Sequence, residues 1–136
     1  MAVGAKLARP DALVVAMSGD GSYLFSQPST VHWMARRYAT PFLQVTNIAK
    51  NYANQGLYTI SVDHGYNTNR YIYVFYTLGT PNRDRLSRFT VNQSLTSADS
   101  EFVLYQDPNE SGADHHGGAI MFGNDGMLYL TTGDQF

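Results

Sequence analysis

The sequence has 136 residues, no cysteine, 43% hydrophobic and 15% charged residues, and a formal net charge of −2. A disulfide framework and a thiolate metal site are therefore excluded, and so low a charged fraction argues against disorder. The longest apolar runs, such as residues 12–17, fall far short of the ~20 residues of a membrane span. No basic region leads a long apolar stretch at the N-terminus, so a signal peptide is not expected, and the weak acidity disfavours nucleic acid.

In chain order, Asp11-Ala-Leu-Val-Val-Ala-Met17 reads as a strand buried on both faces, broken by Ser18-Gly-Asp-Gly-Ser22. Ser26 can cap a helix running to Tyr38, with Pro28 in its first turn and Val31, Met34 and Ala35 on one face. Phe42-Leu-Gln-Val-Thr46 follows as a second strand, and strand, helix, strand makes a βαβ unit. Beyond Asn47 the period changes to two. Strands are expected at 57–62, 70–76, 85–91, 101–105, 118–122 and 127–131, with loops at 76–82 and 106–114 and no helix among them. Gly123-Asn-Asp-Gly126 marks a hairpin between the last two. Composition shifts at the same place: residues 1–47 carry four basic and two acidic side chains, residues 48–136 five and nine. The fold class is α+β, an N-terminal βαβ unit followed by an antiparallel meander. Leu13, Val15, Leu43, Val45, Ile60, Ile72, Val74, Phe89, Val103, Ile120, Phe122 and Leu128 form the expected core.

Gly19-Asp20-Gly21-Ser22, with Asn47 following, resembles the thiamine diphosphate motif of the acetolactate synthase and decarboxylase superfamily. The match covers roughly residues 3–47. It implies a Gly-rich turn facing a diphosphate near Ser22, with Mg²⁺ held by Asp20 and the Asn47 carbonyl oxygen. The pyrimidine-binding partner domain of that superfamily has no counterpart here.

Residues 56–135 resemble the soluble quinoprotein sugar dehydrogenases, the glucose/sorbosone dehydrogenase family of six-bladed β-propellers. The words that carry this are Gly56-Leu-Tyr-Thr-Ile-Ser-Val-Asp63, Arg85-Leu-Ser-Arg-Phe-Thr-Val91 and, most specifically, His115-His-Gly-Gly-Ala-Ile-Met-Phe-Gly-Asn-Asp-Gly-Met-Leu-Tyr-Leu-Thr-Thr-Gly-Asp134. The resemblance implies that His115 is the general base toward a sugar hydroxyl, that pyrroloquinoline quinone (PQQ) takes the hydride, and that Gly133, Asp134 and Gln135 border the site. Read without that resemblance, an adjacent His pair in an acidic loop is usually solvated. Neighbours such as Asp114, His115 and His116 seldom face one metal ion together.

The two resemblances meet over residues 48–55 with no Pro/Gly/Ser-rich linker, which reads as a chimera with segments 1–47 and 56–136. The stretch covers about two blades of the propeller, so turnover by the chain alone is not expected. Three readings follow: a sugar dehydrogenase-like fragment, a thiamine diphosphate- and Mg²⁺-binding fragment, or a chimeric globule without enzymatic activity. An open blade also leaves sheet edges through which copies of the chain could associate.

Overall fold

The computed structural model describes residues 2–10, 14, 33, 37, 48, 55–95, 97–109, 112 and 114–134. They divide between two compact units, Met1–Leu43 with Ser94–Thr96, and Gln44–Gln93 with Ser97–Phe136. In the first unit, Ala and Leu favour helix α1, Ala2–Ala8, which no periodicity had flagged. Lys6 closes its C-terminal end by donating from Nζ to the Pro10 carbonyl at 2.8 Å, where a cation also suits the helix dipole. The expected βαβ unit lies outside the described residues, apart from Val14, which is in no regular element, and Trp33 and Arg37, both helical.

The second unit is built by the period-two segment. Strands β1 (Leu57–Val62), β2 (Tyr71–Leu78), β3 (Arg83–Val91) and β4 (Ala98–Gln106) form an antiparallel meander in sequence order. Strands β5 (Gly118–Phe122) and β6 (Leu128–Thr132) form a separate hairpin. The fold is thus α+β and dominated by antiparallel strands. Among the described residues, no helix is long and apolar enough to cross a membrane.

Register follows side-chain parity. Val74 faces Ile60 and Ser87 across its two ladders, while Phe75 faces Thr59 and Leu86. Strand β2 lies between β1 and β3, and Val74 to Leu78 are all buried on it. Phe75, Leu86 and Ile120 make a core cluster against which Tyr58, Tyr73, Leu128 and Leu130 pack. The hairpin therefore closes over the β1–β2 side of the meander.

Of the expected core, Ile72, Val74 and Ile120 are buried, and Ile60, Phe89, Phe122 and Leu128 are half-buried. Val103 is exposed, because β4 is the last strand of the meander and faces solvent on both sides. Leu13, Val15, Leu43 and Val45 lie outside the described residues.

The expectation of no helix after residue 47 is corrected by α2, Tyr66–Asn69. Its cause is local. Asp63 Oδ1 accepts from the Gly65 N–H and from Asn69 Nδ2, both at 2.8 Å, and so closes the turn around one carboxylate. Arg70, expected in a strand, instead adopts a left-handed conformation (φ 57°) and donates its N–H to the Tyr66 carbonyl at 2.8 Å. Four residues are too few to show a helical period.

Candidate functional site

The candidate site sits where the chain enters β5 and leaves β6. His115 has φ 58°, a left-handed turn, and Gly117 and Gly118 continue at φ 128° and 145°. Such angles are cheap only for glycine. The Gly133 N–H, just after β6, donates to the Gly117 carbonyl at 3.0 Å. A Cβ at Gly133 would lie 1.8 Å from the His115 carbonyl oxygen, so only glycine lets the two segments run this close.

That approach brings His115 Nδ1 to 2.8 Å from Asp134 Oδ1, both side chains being mostly exposed. An ionised carboxylate only accepts, so Nδ1 carries a proton, and in the neutral ring Nε2 is then the acceptor. The result is an imidazole at the molecular surface whose orientation is set by a carboxylate.

His116 points the other way. Its ring is fully buried, with Nδ1 3.1 Å from Asp84 Oδ2 and Nε2 2.8 Å from the Gly112 carbonyl. Asp84, equally buried, accepts at Oδ1 from Thr77 at 2.7 Å and from Tyr58 at 3.2 Å, and the Tyr58 and Thr77 hydroxyls also touch. Burial, together with the nearby Asp84 charge, pushes the Tyr58 phenol far above its ordinary value despite its bond to Thr77. The pair of adjacent histidines thus divides into one exposed ring and one buried ring.

The structure brings together His115, Gly133 and Asp134 of the residues singled out by sequence. Gln135 and the whole of Gly19, Asp20, Gly21, Ser22 and Asn47 lie outside the described residues. Among the described residues, no cluster of three or more His, Asp or Glu could hold a metal ion. Sequence reasoning passed over Asp84, Thr77 and Tyr58. The missing signal was parity: Asp84 is two residues before core Leu86, Thr77 two after core Phe75, and the two are register partners.

The family model for glucose/sorbosone dehydrogenase matches residues 8–136. The chain belongs to the glucose/sorbosone dehydrogenase family. Among solved structures, it is similar to the PQQ-bound form of aldose sugar dehydrogenase from Streptomyces coelicolor, at 24% identity and a TM-score of 0.57. That likeness covers 68% of this chain and 27% of the other, so this chain spans about a quarter of that enzyme's length. At such identity the likeness is one of fold, a part of that protein's β structure.

The glucose/sorbosone dehydrogenase match begins at residue 8 and so takes Gly19-Asp20-Gly21-Ser22 and Asn47 into the same family as His115. The two-origin reading, with its thiamine diphosphate and Mg²⁺ expectations, gains no support from it. A tetrapeptide of Gly, Asp and Ser is a common strand-to-helix turn, and its flanking words proved less specific than the 20-residue word around His115.

Proposed function

We propose that this chain carries the base-bearing segment of a PQQ-dependent sugar dehydrogenase acting on an aldose hydroxyl. The observation that carries it is the 2.8 Å contact of His115 Nδ1 with Asp134, on segments that the family match covers. PQQ, when bound, supplies the two-electron acceptor. The backbone beside His115 is open to an approaching group, since a Cβ at Gly117 would meet nothing within 4 Å. His115 Nε2 takes the proton of the sugar hydroxyl as that carbon loses its hydride, and a carbonyl forms. Asp134 holds the ring in the required tautomer and offsets the charge that develops on it.

The chain spans about a quarter of the enzyme it resembles, so turnover by the chain alone is expected to be slight. Dye reduction with an aldose and added PQQ tests the proposal, alongside NMR of the His ring nitrogens. Quinone-dependent turnover should fall by ~10²-fold or more in His115→Ala, and persist in His64→Ala. PQQ should move the His115 ring signals ahead of those of His64. No turnover, together with unmoved His115 signals, would overturn the assignment.

A further inference from the structure

The His116–Asp84 pair has a proton count fixed by its partners. A carbonyl oxygen only accepts, so His116 Nε2 carries a proton in its 2.8 Å contact with Gly112. His116 Nδ1 and Asp84 Oδ2, 3.1 Å apart, cannot meet lone pair to lone pair, so one further proton lies between them. Whether it sits on ring or carboxyl, the pair is neutral overall, which suits two side chains wholly withdrawn from water.

This pair ties three strands to one loop. Tyr58 on β1, Thr77 on β2 and Asp84 on β3 converge on the carboxylate, and His116 carries the connection to Gly112 and so to the segment that bears His115. The segment is also held from below, where Gly133 backs onto the His115 carbonyl. We propose that Asp84 is a positioning residue for His115: through His116 it fixes Gly112 and residues 114–117 so that His115 keeps its left-handed turn and meets Asp134. The inference rests on the reading of His115 as the base, and neither Asp84 nor His116 touches substrate.

The test uses the chain itself, labelled with ¹⁵N, and needs no turnover. In Asp84→Leu, exchange of the Gly133 amide should rise about tenfold or more, with far less change in the β2–β3 ladder. The His115 ring should lose its Nδ1–H tautomer as the Asp134 contact is released. Asp84→Asn should restore both, because its amide can accept from Thr77 and Tyr58 and donate to His116 Nδ1. An Asp84→Leu chain that folds with an unchanged Gly133 amide and His115 ring would overturn the proposal, as would equal changes across the β2–β3 ladder. If Asp84→Leu does not fold, Asp84→Asn decides alone: its His116 must carry the proton on Nε2 with a bare Nδ1, and the opposite tautomer overturns the proposal. Failure of the sugar-oxidation reading would show in the PQQ experiments and leave these signals untouched.

Discussion

Asp63 shows how much one carboxylate can organise on an exposed turn. Burial by itself would raise its proton affinity. Hydrogen bonds from Asn69 Nδ2, from the Tyr73 hydroxyl and from the Gly65 N–H outweigh that and, with the nearby His64, hold it below the ordinary carboxylate range. Tyr73 is pushed the other way, to about 12, first by burial and then by donating to Asp63 at 2.8 Å. A carboxylate with a lowered folded-state pKa stabilises the fold above its unfolded value of 3.8 and stops doing so as pH falls through its folded value. Asp63→Asn should therefore cost about 1 kcal/mol at neutral pH, and the gap to the parent chain should close in acid. Thermal melts of both proteins at pH 7 and pH 3 check this. A gap that stays constant would mean that the carboxylate charge is not what the turn uses.

At the level of elements, the period-two pattern was enough to place β1 and β5 on the residues that form them. It fell short at other ends for reasons of register. Strand β2 continues through Thr77 and Leu78 because they pair with Asp84 and Arg83, although Thr77 begins a stretch rich in turn formers. Strand β4 starts at Ala98, three residues earlier than expected, since backbone pairing to Val91 and Thr90 holds its polar first residues in the ladder. The word around His115 singled out the turn that meets Asp134, and the inward turn of His116 was not legible, since nothing local marks which of two adjacent histidines is buried. The β5–β6 pair makes its own demand on sequence. A Cβ at Gly118 would lie 1.9 Å from the Thr131 carbonyl oxygen and 3.0 Å from the Phe75 ring, at a φ of 145° that side chains rarely adopt. Gly118→Ala should therefore destabilise the chain by at least ~2 kcal/mol, through backbone strain and a displaced strand. Chemical denaturation measures it; a loss below the scatter of surface substitutions would mean that the strand shifts freely and that the register at Gly118 is not held by packing.

Across the whole molecule, the family match runs through both compact units, whereas composition and wording had divided the chain near residue 47. The thiamine diphosphate resemblance finds no support there, because a Gly-rich turn has the same chemistry in many folds. The sheet's outer side raises a separate issue. On β4 a register shift between Val103 and Tyr105 puts Phe102 and Tyr105 on the Leu86 face and Val103 on the Ser87 face, and these three and Leu104 are all exposed. Phe102 carries the Arg88 guanidinium 4.9 Å above its ring. Among the described residues, β4 pairs with β3 alone, so one row of backbone donors and acceptors and two apolar faces remain open together. Edges of that kind pair with further strands unless a charge interrupts them. The chain should therefore self-associate in a concentration-dependent way, and Val103→Lys should shift it toward monomer. Because Val103 buries little, the same substitution should change folding stability by less than ~0.5 kcal/mol. Sedimentation velocity over a range of concentrations, with a melt of each protein, separates the two effects. A parent chain that stays monomeric throughout would remove the edge from consideration. Loss of association together with a large drop in stability would show instead that β4 is held more tightly than its exposure indicates.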